Sequence, residues 1–163
     1  MTSVPARANP PDVVTLRVRR SGRLHPSIVC AALADPEWLG QRIESAEAPT
    51  GMRRFLTDLV LPLPPDGRAL ALRKAAFVDL GAPQALVDGG CTIEVAWRSA
   101  SLAPLFPVFA GRLVIEAGGI RLEGHYAPPG GALGRAADRV LLRVGANGTA
   151  RWFLDHLVAA TGS

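Results

Sequence analysis

The last third of this chain limits its folding choices more than any other stretch. Residues Tyr126 to Ala160 read Y-A-P-P-G-G-A-L-G-R-A-A-D-R-V-L-L-R-V-G-A-N-G-T-A-R-W-F-L-D-H-L-V-A-A. Pro128, Pro129, Gly130 and Gly131 end a strand there, because proline lacks the ladder N–H and glycine admits positive φ. From Leu133 onward the period is helical, with Leu133, Ala137, Val140, Leu141, Val144 and Gly148 on one stripe. Carried to Ala160, such a helix is roughly 42 Å long at about 1.5 Å per residue and must lie across something broad. Gly145 and Gly148 interrupt it, each costing about 1 kcal/mol against alanine. The later stripe, Ala150, Leu154, Leu157 and Val158, is rotated by about 100° from the earlier one. Two readings stay open. The glycines mark a kink or a break between helices, or small residues leave room above the neighbouring surface for a ligand.

The preceding chain supplies that surface as strands. Val14, Leu16 and Val18 alternate with Thr15, Arg17 and Arg19 within 13–20. Pro26 opens a short helix, and Asp35-Pro36-Glu37 is a second helix start, with Asp as N-cap and Pro at the first helical position. Residues 51–63 and 69–80 read as strands joined by the Pro64–Arg68 turn. Cys91, Ile93, Val95 and Trp97 then alternate inward, as do Phe109, Gly111, Leu113 and Ile115, and Ile120, Leu122, Gly124 and Tyr126. The prediction is α+β. A curved antiparallel sheet of six to seven strands has two short helices after its first strand and a long C-terminal helix across it. Residues 1–12, with three prolines and no periodicity, read as a flexible tail, and 13–163 as a single domain.

Composition narrows the function classes. The sequence pI is about 10.0 although the net charge is only +4. Lys74 is the one lysine among 18 basic residues, so the high pI reflects arginine usage of the kind a GC-rich genome produces. Aromatics do not interleave with the arginines as a stacking platform requires, so no nucleic-acid partner is expected. No apolar run approaches about 18 residues, so no membrane span is predicted, and the N-terminus shows no signal-peptide core. A cytoplasmic location follows, with Cys30 and Cys91 read as buried reduced thiols rather than a disulfide. Oligomeric state is not legible.

The detailed likeness lies in F-P-V-F-A-G-R-L-V-I-E from Phe106, I-R-L-E-G-H-Y-A-P-P-G-G-A-L-G-R-A-A-D-R from Ile120, and the final T-A-R-W-F-L-D-H-L. With the order strand, two short helices, meander, long helix, the chain resembles the START-like (SRPBCC, polyketide cyclase/dehydrase-like) superfamily over about residues 13–160. The resemblance implies a helix-grip fold, often enclosing an apolar cavity. Members include lipid and polyketide binders, aromatase/cyclases, hormone receptors and chaperone activators, so fold alone does not fix function.

Within that frame, Phe55, Trp97, Phe106, Phe109, Tyr126 and Trp152, with Leu141, Val144 and Gly148 of the helix, are the candidate ligand-binding residues. The same aromatics can instead fill a dry core. His25, His125 and His156 have no companion at ligand spacing, so no metal and no cofactor is predicted. G-G-A-L-G from Gly130 lacks the P-loop Lys-Ser/Thr and reads as a turn. No nucleophile with an adjacent base is visible, and no catalytic residue is assigned. Asp58 and Lys74 are read as near cross-strand partners, either an exposed ion pair or an acid–base pair in a cyclase-like cavity. The expected function is binding of an apolar, lipid- or polyketide-like small molecule between sheet and helix. The alternatives are a polyketide cyclase, aromatase or dehydratase, and a ligand-free interaction module.

Overall fold

The structure is a computed structural model that describes residues 14–63, 70–100, 108–127 and 138–162, with backbone alone at 61–63, 70–72, 127 and 138–145. The proline-containing tail, the Pro64–Arg68 turn and the expected helix start at Leu133 lie outside the described residues. In chain order the elements are β1 (Val14–Ser21), α1 (Pro26–Ala34), β2 (Gln41–Ile43), β3 (Arg53–Leu63), β4 (Leu70–Leu80), β5 (Gln84–Ala85), β6 (Cys91–Ser99), β7 (Val108–Glu116), β8 (Gly119–Ala127) and α2 (Asp138–Ala160). All eight strands form one antiparallel sheet in the order β1-β8-β7-β6-β4-β3-β2, with β5 pairing β6. The class is α+β with the C-terminal helix packed across the sheet, consistent with a helix grip.

The sheet curls because one helix touches both its sides. α2 packs on β3 and on β1, which would lie roughly 24 Å apart in a flat sheet at about 4.8 Å per strand. A helix with side chains is only about 10–12 Å wide. The alternation read from the sequence supplies the concave apolar face. Leu16 and Val18, Ile93, Val95 and Trp97, Leu113 and Ile115, and Ile120, Leu122 and Tyr126 are all buried.

α2 runs unbroken through Gly145 and Gly148. Its buried positions, Ala146, Thr149, Ala150, Phe153, Leu154 and Leu157, repeat at three and four residues. The Thr149 hydroxyl donates to the Val60 carbonyl at 3.0 Å, tying the helix to β3. Gly148 had been expected on the sheet-facing stripe, but it is half-buried and two turns before the exposed Asp155. Fully buried Phe153 sets the phase, and an unbroken helix then carries Gly148 toward the opposite side.

The second short helix after β1 is also corrected. Asp35-Pro36-Glu37 starts only a turn, with the Leu39 amide donating to the Pro36 carbonyl at 3.0 Å. Gly40 follows with φ near 150°, where a Cβ would collide with the Leu56 carbonyl. The chain then pairs with β3 as β2 instead of continuing as a helix. Local capping signals favoured a helix, and the free edge of β3 outcompeted them.

Cys30 and Cys91 are joined in a disulfide with a Cα–Cα distance of 6.2 Å, not held as two thiols. α1 folds back over the start of β6, an approach across 61 residues that spacing alone does not reveal. The other end of α1 is held by Arg53 of β3. Its guanidinium donates to the carbonyls of Ala34 at 2.6 Å, Leu33 at 3.0 Å and Gly81 at 2.9 Å. Helix-end acceptors that α1 cannot satisfy itself thus find donors on the sheet.

On the convex face Arg54 and Asp79, directly opposed in register, form a buried bidentate pair at 2.7 and 2.9 Å. Arg54 also lies 4.9 Å above the Phe77 ring. The Asp79 hydrogen bonds hold the Arg54 guanidinium more firmly protonated than usual, against the opposing effect of burial. Asp79→Asn removes the charge and leaves Arg54 buried unpaired, so it is expected to cost about 3–5 kcal/mol in urea unfolding. A change below about 1 kcal/mol, typical of a solvated pair, would contradict that account. Reducing the disulfide is expected to cost about 4 kcal/mol on the loop-entropy account for a crosslink spanning 61 residues. An unfolding midpoint unmoved by reductant would show that the crosslink is not formed in solution.

Candidate functional site

The predicted aromatics come together in an arrangement that alternation alone does not specify. Register runs Phe55↔Val78↔Trp97↔Phe109↔Tyr126↔Val14, one continuous row over β3, β4, β6, β7, β8 and β1. Residues directly opposed in an antiparallel sheet share a face, so Phe55, Trp97, Phe109 and Tyr126 form a belt on the concave side. All four are buried. The Trp97 and Phe109 rings stack at 4.2 Å, and Phe153 of α2 meets Trp97 at 5.8 Å.

Two glycines give the belt its depth. Gly111 and Gly124 are opposed across β7 and β8, and the Phe109 ring lies along them. A Cβ on Gly111 would stand 2.7 Å from Phe109 Cζ and 2.7 Å from Gly124 Cα. The missing side chains let the ring sink onto the backbone and make room for Trp97 above it.

The belt divides the concave face. On one side are the rows Ile93↔Leu113↔Leu122↔Val18 and Cys91↔Ile115↔Ile120, buried and aliphatic. Val29 and Leu33 of α1 and Leu154 and Leu157 of α2 join the same core, and the disulfide sits at that end. On the other side are the rows Thr57↔Ala76↔Ser99 and Leu59↔Lys74. Here Leu59 is the one large apolar side chain of the two rows, the others being shorter or polar, and the inward residues of α2 are the small Ala146, Thr149 and Ala150.

Register decides the face of Lys74, which the sequence leaves open. The β3–β4 register opposes Asp58 to Ala75 and Lys74 to Leu59, so the expected Asp58–Lys74 pairing does not form. A slip of one residue sends a side chain to the other face of a sheet. Asp58 is exposed on the convex side, whereas Lys74 is half-buried on the concave side beside fully buried Leu59. Among the described residues Lys74 has no ion-pair partner.

Trp152 stands apart from the belt. It is half-buried on the flank of α2 and stacks on His156 at 5.0 Å, with Trp38 5.7 Å from His156. Its neighbour Phe153 occupies the interior position that the sequence reading had given to Trp152. Phe106 lies outside the described residues, as do the side chains of Leu141 and Val144. Among the described residues no group of three or more His, Cys, Asp or Glu is placed to hold a metal ion.

No family model matches the chain, and no curated protein matches it. Among solved structures it is similar to DynU16, a protein of the dynemicin biosynthetic locus, at 19% identity and a TM-score of 0.42. The match covers 94% of this chain and 49% of that one, so the chain spans about half of DynU16. A likeness that distant carries no argument about activity.

The belt is tested through its glycine floor. Gly111→Ala sets a Cβ 2.2 Å from the Glu123 carbonyl oxygen and 2.7 Å from the Phe109 ring, so strand and ring must both shift, with an expected loss of about 1–3 kcal/mol or more and, where the ring moves, a change in Trp97 emission. Wild-type stability with unchanged emission would show that the ring does not rest on Gly111.

Proposed function

We propose that this chain is a START-like domain that binds an apolar small molecule bearing an acidic head. The ligand lies between sheet and α2, with its apolar body against the belt of Phe55, Trp97, Phe109 and Tyr126. Its acid pairs with Lys74. The observation that carries the reading is Lys74, the one lysine of the chain, half-buried on the concave face without an ion-pair partner among the described residues. Placing a cation beside an apolar interior costs desolvation that an opposite charge offsets. A lysine suits the position, since its aliphatic stem can follow the apolar wall while the ammonium presents a compact charge. The small inward residues of α2 at 146, 149 and 150 favour a ligand on that side of the belt over the aliphatic side.

The cyclase-like alternative calls for an acid and a base side by side. Asp58 lies on the opposite face from Lys74, so that pair does not supply them. Binding without catalysis is the reading retained. Among the described residues no helix is long and apolar enough to cross a membrane. The Cys30–Cys91 disulfide stands against the cytoplasmic expectation, because such crosslinks persist mainly in oxidising compartments.

A naphthalene carboxylate and its uncharged amide test the proposal together by isothermal titration. Lys74→Met is expected to weaken the carboxylate about tenfold, roughly 1.4 kcal/mol, and to leave the amide unchanged. Equal loss for both probes, or no binding of either by the wild type, would contradict the reading.

A further inference from the structure

Helix α1 is fastened to the rest of the fold unevenly. Its last turn is held by two side chains. The carbonyls of Leu33 and Ala34 accept from Arg53, and that of Ala32 accepts from the Trp38 indole at 2.8 Å. The first turns have no such ties. His25 at the N-cap makes no side-chain capping bond. Among the described residues no side chain of residues 22–29 forms a hydrogen bond or an ion pair. What holds this end is the Cys30–Cys91 crosslink and the burial of Val29. Of the nine residues of α1 only Val29 and Leu33 are buried, and Ile28 is 48% exposed. A helix this short is marginal in water without its packing.

From this asymmetry we infer that the disulfide is a redox latch. Its reduction lets α1 swing away from the core about its anchored last turn while the sheet stays folded. Cys30 is half-buried whereas Cys91 is 3% exposed, so a dithiol reductant reaches the Cys30 sulfur first. One of its thiolates attacks Cys30 Sγ, the Cys30–Cys91 bond breaks, and Cys91 leaves as a thiolate that takes up a proton. The second thiolate of the reductant then closes on the first, and Cys30 leaves and is protonated in turn. Two electrons and two protons pass from the dithiol, which ends as a disulfide, to the cysteine pair, which ends as two thiols. Cys91 keeps its place in either state, because β6 is paired with β5 and β7 around it. Cys30 has only α1 to hold it. Opening uncovers Val29, Leu33 and the aliphatic end of the core that they join. Such a local opening lies below global unfolding in free energy, and it is independent of any ligand on the Lys74 side of the belt.

Amide hydrogen exchange read by mass spectrometry tests the latch on the full chain, oxidised and after treatment with dithiothreitol, with alkylation confirming two free thiols. In the reduced protein, exchange across residues 26–31 is expected to rise at least tenfold, while β6, β7 and β8 keep their protection. The Cys30→Ser/Cys91→Ser double variant is expected to match the reduced protein with no reductant present, which separates loss of the crosslink from an effect of the reagent. Oxidised glutathione is expected to restore the slow exchange of the wild type. Three results would overturn the inference. One is unchanged exchange over 26–31 with both thiols free. Another is exchange rising equally through β6–β8, which would make the crosslink a staple of the whole fold. The third is a reduced protein that does not regain protection once the disulfide has re-formed.

Discussion

The architecture depends on one helix being in contact with two strands that a flat sheet would hold far apart. α2 reaches β3 through the Thr149–Val60 hydrogen bond and reaches β1 through the Arg20–Asp155 pair. Once the sheet closes around the helix, its concave face must be filled from within. Phe109 does this by lying on the backbone of Gly111 and Gly124, with Trp97 stacked on it and Phe153 above. The other half of the filling comes from α1, which the disulfide and Arg53 fasten to the sheet. The aromatic belt, the aliphatic core and the more polar side near Lys74 all follow from that closure.

Charge is divided along the same lines. Arg54 and Asp79 are buried together on the convex face and satisfy each other. Arg17, Arg112 and Arg121 surround Glu123, whose carboxyl is held below its ordinary range chiefly by the Arg112 hydrogen bond. Each of these groups meets its counter-charge within the protein. Lys74, on the concave face, has no acidic partner among the described residues.

Much of this was legible in the sequence where a signal was local and repeated. The alternation of Cys91 to Trp97 and of Ile120 to Tyr126 placed each side chain on its observed face, because a strand has only two faces to choose between. Signals that depend on pairing were not legible. The β3–β4 register decides where Lys74 points, and a one-residue difference at a hairpin reverses it. Phe153 and Trp152 are adjacent, and only the helix phase, fixed by contacts with distant strands, decides which goes inside. The Asp35-Pro36-Glu37 start predicted a helix that the edge of β3 replaced with β2. Cys30 and Cys91 were read as separate thiols because nothing in their own neighbourhoods records that α1 folds back onto β6.

The central claim is that the belt separates a closed core from a ligand-accepting side, and amide and methyl NMR can test it residue by residue. With a saturating naphthalene carboxylate, shifts are predicted at Thr57, Ala76, Ser99 and the rings of Trp97 and Phe109. Ile93, Leu113, Leu122 and Leu157 should stay in place. Shifts centred on that aliphatic group, or spread evenly over both sides of the belt, would contradict the account.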